Sequence, residues 1–119
     1  MNREIRIILL DKADKTYSDL ISITEMQTKE GLVNTSEIQL MNSIKQKIEF
    51  IRRDPFYGDN IPKRLIPRSY DVQNLWRVEL VKFWRMLYTI KGDKIEIICF
   101  VLDILDHKRY NKIFKYRKN

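Results

Sequence analysis

All three prolines of this 119-residue chain, Pro55, Pro62 and Pro67, fall in one short stretch near its middle. Each removes a backbone donor and fixes φ, and Gly58, Asp59 and Asn60 lie among them. The segment from Pro55 to Tyr70 can therefore be neither a helix nor a central strand. It reads as a long loop of restrained shape, with Asp59, Lys63, Arg64 and Arg68 as its charged members. Loops of this length in a small domain more often carry function than filler. The loop also separates two hydrophobic periods, helical spacing before it and alternation after it.

Ahead of the loop, Ile5, Ile7 and Leu9 mark an opening strand. Ala13, Tyr17, Leu20, Ile21 and Thr24 follow at helical spacing, with Gly31 as the stop. Ser36 and Gln39 form a capping-box pattern for a second helix. Its apolar stripe, Leu40, Met41, Ile44, Ile48 and Ile51, lasts to Arg52-Arg53-Asp54. The two helices make an αα-hairpin with one buried face.

Beyond the loop, Trp76, Val78 and Leu80 alternate with Arg77 and Glu79, and Trp84, Met86 and Tyr88 alternate with Arg85 and Leu87. With Val81-Lys82-Phe83 as the connection, Leu80 faces Trp84, Val78 faces Met86 and Trp76 faces Tyr88. That register puts Glu79 opposite Arg85, with Arg77 beside them, on the other side of the sheet. Lys91-Gly92-Asp93-Lys94 makes the next turn. Ile95 to Leu105 is apolar at nearly every position, as expected of a central strand buried on both faces. Asp106 caps a short basic C-terminal helix. The expected order is β-α-α-β-β-β-α, an α+β fold whose helices cover one sheet face and leave the face with Arg77, Glu79 and Arg85 open.

At 14.5 kDa the chain is the size of one domain, residues 1–119. Its one cysteine, Cys99, sits in the apolar run Ile97 to Leu102, so it reads as a core residue in a reducing, cytoplasmic setting. That run is far short of the roughly 20 residues a membrane span needs, and the first residues do not open a signal peptide.

Charge divides unevenly along the chain. Residues 1–57 carry nine Lys/Arg against nine Asp/Glu, whereas residues 58–119 carry fourteen against seven, so the whole excess of +7 lies in the second half. From His107 onward there are Lys108, Arg109, Lys112, Lys115, Arg117 and Lys118 and no acid. A face of this kind attracts phosphate through counterion release. One histidine and one cysteine supply no transition-metal ligand set, and there is no Gly-rich phosphate loop. No metal and no cofactor are expected. What remains is a sheet face with arginines, a loop with Lys63 and Arg64, and a strand end with His107 and Tyr110. Such a set could bind an RNA phosphate, stabilise charge on it and move protons.

Several pieces recur in a recognisable order. Arg52-Arg53-Asp54-Pro55-Phe56-Tyr57-Gly58 is a basic helix exit with a Pro-Phe-x-Gly core, followed by Pro62 and Leu65. Trp76 precedes Trp84-Arg85-Met86-Leu87-Tyr88, and Asp106-His107-Lys108-Arg109-Tyr110 closes the series. Together they resemble the RelE/ParE toxin superfamily, and within it the YoeB-like branch of messenger-RNA-cleaving toxins, over about the last two thirds of the chain.

The resemblance implies a RelE-like fold and a ribosome-dependent endoribonuclease that cuts mRNA and is held inactive by a cognate antitoxin. It places Arg85 on the family's strand arginine, expected to stabilise phosphorane-like charge. The alternative is a salt bridge to Glu79. His107 falls on the signature histidine, a proton donor or acceptor near neutral pH, or is otherwise a solvated strand-end residue. Tyr110 either orients a phosphate or stacks on a base, or covers the core with Phe114. Lys63 stands where the YoeB-like branch carries a glutamate thought to be the general base. RelE has lysines in this region, so Lys63 is either a base with a pKa lowered by desolvation or a phosphate anchor with Arg64. The catalytic candidates are thus Lys63, Arg85, His107 and Tyr110, and the RNA-binding candidates are Arg64, Arg77, Lys108, Arg109 and Lys112. Two other readings stay open: a non-enzymatic, ParE-type gyrase poison, and a basic RNA-binding protein without catalysis.

Overall fold

The computed structural model describes residues 3–115. Strand β1 (Glu4–Leu9) leads into α1 (Asp11–Lys29) and α2 (Ser36–Arg53). Then come β2 (Asp59–Asn60), β3 (Trp76–Glu79), β4 (Arg85–Gly92), β5 (Glu96–Leu105) and α3 (His107–Lys115). The sheet order is β1-β5-β4-β3-β2, with β1 parallel to β5 and every other pair antiparallel. The expected order of elements holds, with one addition. The proline segment contributes β2 and a 3₁₀ turn at Lys63–Leu65, so it is not structureless. As the proline content requires, β2 is an edge strand of only two residues.

The β3–β4 register matches the alternation, with Trp76 opposite Tyr88, Val78 opposite Met86 and Glu79 opposite Arg85. β5 is interior, as its apolar sequence demands, but β4 holds the middle position. The shift arises because β1 adds only one strand beyond β5, while the loop supplies a second strand beyond β3.

Helix α1 ends in a left-handed residue, Gly31 at φ 84°. The Gly31 N–H reaches the Thr28 carbonyl and the Leu32 N–H reaches the Gln27 carbonyl, each at 3.0 Å. This is the paired closure by which glycine ends a helix. The cap of α2 is Thr35 and not Ser36: Thr35 Oγ1 accepts from the Ile38 N–H at 3.1 Å. A tertiary contact selects it, because the same hydroxyl donates to Gln27 Oε1 on α1 at 2.6 Å. Gln27 Nε2 in turn donates to Glu37 Oε1 at 2.8 Å, which holds the Glu37 carboxyl below the usual carboxylate range.

Two cores flank the sheet. On one side α1 and α2 bury Leu40, Met41, Ile44 and Ile51 against Met86, Tyr88, Cys99 and Ile104. Burial there pushes the Cys99 thiol up to about 11. On the other side Ile61, Ile66, Leu75, Leu87, Leu105 and Tyr110 form a second cluster. That face is therefore not open as the alternation suggests. Leu87 and Leu105 point to it and need cover, which the proline loop and α3 provide.

The loop is fastened by the Tyr88 hydroxyl, which donates to the Pro55 carbonyl at 2.7 Å and accepts from the Gly58 N–H at 3.0 Å. A Cβ at Gly58 would stand 2.9 Å from both the Arg77 carbonyl and the Tyr88 hydroxyl, so only glycine allows this approach. The Pro-Phe-x-Gly exit and the distant Tyr88 are two halves of one structural latch.

Candidate functional site

Arg77 on β3 and Arg85 on β4 lie on the sheet face away from α1 and α2, where the register puts them. Helix α3 starts immediately after β5 and folds back over this face, helped by Asp106, whose Oδ1 accepts from the Arg109 N–H at 2.8 Å. Tyr110, one turn into α3, thereby lands beside both arginines and is only 8% exposed.

Arg77 Nη1 donates to the Tyr110 hydroxyl at 2.9 Å, and its Nη2 donates to Asp59 Oδ2 at 3.2 Å. The Tyr110 contact, more than the Asp59 one, holds the Arg77 guanidinium even more firmly protonated than usual, against the opposing effect of burial. The Arg85 guanidinium lies 5.1 Å from the Tyr110 ring centroid and pairs with Glu79 at 3.6 Å, and its side chain is 13% exposed. Phe114 stacks on Tyr110 at 4.5 Å. Among the described residues, the Nε atoms of Arg77 and Arg85 are buried without a hydrogen-bond partner. The ion pair expected between Arg85 and Glu79 is present, through the Arg85 Nε.

His107 opens α3 and is exposed. Its ring centroid lies 5.8 Å from that of Phe83, whose carbonyl accepts from Arg85 Nη1. Asn111 Nδ2 lies 3.0 Å from His107 Nε2. Arg85 on β4 is thereby joined to Tyr110 directly and to His107 through Phe83, both of them on α3.

Lys63 reaches the same face by a different route. It starts the 3₁₀ turn and is exposed, while Ile61 and Ile66 on either side are buried in the cluster that contains Tyr110. Arg64 follows it in the turn.

The remaining basic candidates spread along α3. Lys108, Arg109 and Lys112 are exposed, and Arg109 is held by Asp106 at 3.4 Å over the Trp84 ring at 5.8 Å. Arg109 and Lys112 border a cleft of about 520 Å³ that α1 lines with Lys12 and Lys15, so they face away from Arg77. Of the basic tail, Arg117 and Lys118 lie outside the described residues. Next to Arg77 opens a smaller polar cleft of about 310 Å³, lined by Lys47, Tyr57, Asp59 and Glu79. A larger apolar-walled cavity of about 360 Å³ lies instead between α1, α2 and Trp84.

Two members of the neighbourhood are not evident in the sequence. Asp59 tethers Arg77 across strands 18 residues apart. Phe83 is an apolar aromatic in a hairpin turn, where polar residues are the rule, and that departure is the signal that could have drawn attention to it. Among the described residues no three His, Cys, Asp or Glu side chains gather as a metal ion would need. No described helix is long and apolar enough to cross a membrane.

No protein-family model and no curated protein sequence matches the chain. Among solved structures, the YoeB/ParE toxin from Agrobacterium tumefaciens superposes on 86% of this chain and 98% of its own, with a TM-score of 0.53 and 17% identity. The fold is that of the RelE/ParE toxins. The free state of a doubly substituted E. coli toxin RelE aligns over 96% of this chain and 97% of its own at 12% identity, with a TM-score of 0.49. In this RelE/ParE-type fold the helical hairpin, α1 and α2, packs on one side of the sheet, and the arginine, tyrosine and histidine group lies on the other.

Proposed function

We propose that the protein is the toxin of a type II toxin–antitoxin system, a single RelE-like domain that cleaves messenger RNA on the ribosome without a metal or cofactor. The observation that carries this reading is the Arg77–Tyr110–Arg85 cluster on the sheet face, joined to His107 through Phe83. Two guanidinium groups gathered around one tyrosine suit a phosphate that gains charge in the transition state.

In the cleavage step the 2′-oxygen of the RNA attacks the adjacent phosphorus, the bond to the 5′-oxygen breaks, and a 2′,3′-cyclic phosphate forms. A base takes the 2′-hydroxyl proton and an acid gives one to the departing oxygen. His107, exposed at the start of α3, serves in proton transfer. Arg85 stabilises the phosphorane, with Tyr110 fixing its direction. The exposure of Lys63 favours the phosphate-anchor role, with Arg64, over that of a desolvated base. Arg77, Lys108, Arg109 and Lys112 add electrostatic attraction for RNA. A cytoplasmic setting with mRNA, the ribosome and a cognate antitoxin as partners follows from this reading.

Purified protein added to programmed ribosomes should cut the message, and a 2′-deoxy nucleotide at the cleavage position should block the cut. His107→Ala should lower the rate by about 10²-fold or more while leaving the fold intact, since the residue is exposed. Messages that stay whole in the presence of folded wild-type protein would reject the nuclease. Growth arrest with DNA damage and whole messages would point to gyrase poisoning, and salt-sensitive RNA binding without toxicity to a plain RNA-binding protein.

A further inference from the structure

The connection between β3 and β4 places two consecutive non-glycine residues in the left-handed region, Lys82 at φ 56° and Phe83 at φ 64°. Side chains with a Cβ avoid this conformation, and a bulky aromatic there is unusual. Such a backbone persists only where its surroundings over-determine it. Here they do. Ser43 Oγ on α2 accepts from the Val81 N–H at 3.2 Å, the Leu80 N–H reaches the Trp84 carbonyl at 2.8 Å, and Arg85 Nη1 holds the Phe83 carbonyl.

The result is a large aromatic ring pushed into solvent. Phe83 is 70% exposed, although a core lies on each side of the sheet that could have taken it. Among the described residues its ring partner is His107, at 5.8 Å and tilted by 58°, and its carbonyl is bound by the arginine proposed to hold the phosphate. One turn therefore presents a flat apolar surface next to both the proton-transfer group and the charge-stabilising group. Nucleobases stack on such rings whatever their hydrogen-bonding pattern.

We infer that Phe83, backed by His107, is the stacking platform for one of the two nucleobases that flank the scissile phosphate. This rests on the nuclease reading above and assigns to that site a base-binding residue. Stacking there orients the nucleotide so that its 2′-oxygen, phosphorus and 5′-oxygen line up between Arg85 and His107. The strained turn is what keeps the ring out of the core and available.

The test pairs a protein change with a substrate change. On programmed ribosomes, Phe83→Leu should lower kcat/KM by about tenfold to a hundredfold, the range expected for losing one stacked base. Phe83→Trp, which retains a stacking ring, should lose less than Phe83→Leu. Replacing the flanking base by an abasic nucleotide should cost the wild type a similar factor at one of the two positions, and Phe83→Leu should lose nothing further on that message. Phe83→Gly should keep or raise the melting temperature, because glycine accepts the positive φ, while losing cleavage as Phe83→Leu does. Independent losses at both abasic positions, or Phe83→Leu cutting as fast as wild type, would overturn the platform and leave the nuclease standing. Wild-type protein that cuts no message overturns the nuclease itself, and the platform with it.

Discussion

Tyr88 shows how far a single side chain reaches in this protein. Its hydroxyl is buried and joins the exit of α2 to the middle of the sheet through Pro55 and Gly58. Removing it strands a buried carbonyl and a partly buried N–H, and the carbonyl costs more than the bond itself is worth in net terms. Tyr88→Phe should lower the stability by about 1–3 kcal/mol. Because the proline loop carries Lys63, the loop should also become more protease-sensitive; denaturant titration and limited proteolysis would check both. Arg85 is the opposite case. The sequence places it on the non-helical face opposite Glu79 but does not reveal that Tyr110 would cover it. Arg85→Ala therefore combines loss of transition-state stabilisation with loss of packing, and its activity should be read beside a melting curve. His107→Ala is the cleaner probe of chemistry, since His107 is exposed.

At the scale of elements, alternation specified the β3–β4 hairpin down to its register. A shift by one residue would turn Trp76, Val78 and Leu80 away from the helices. The αα-hairpin was legible for the same reason, because its stripe has no other face to bury. Its closure depends on Gly31 at φ 84°. Gly31→Ala should cost about 1–2 kcal/mol, seen as a lower denaturation midpoint at unchanged slope. The short edge strand β2 and the 3₁₀ turn were not legible, since two or three residues carry no period. Neither was the choice of Thr35 over Ser36 as the cap, which Gln27 on another helix makes.

Across the whole molecule, alkaline pH should loosen the helix-side core. Burial raises the Cys99 thiol from its ordinary 9.0 to about 11, so the native state disfavours the thiolate that the unfolded chain forms first. The neutral-thiol contribution is complete below pH 9.0 and is lost as pH climbs toward about 11. Tyr88, also pushed up by burial, acts in the same direction at higher pH. Melting temperature should fall across this window, and Cys99→Val should flatten the fall between about 9 and 11. A profile identical to that of the wild type would show that the thiol contributes nothing.

What the sequence by itself determined is whatever follows from spacing along one chain. That covers the order of the longer elements, the pairing of β3 with β4, the burial of Cys99, the side of the sheet on which the arginines stand, and the basic bias of the second half. Tertiary structure decided what depends on elements meeting from a distance. The proline loop and α3 close over the second face because Leu87 and Leu105 need cover there, and in doing so they bring Tyr110 between Arg77 and Arg85 and set His107 against Phe83. Local periodicity fixes the direction of a side chain relative to its own element. Only the packing of apolar surface in three dimensions fixes which side chain it will meet.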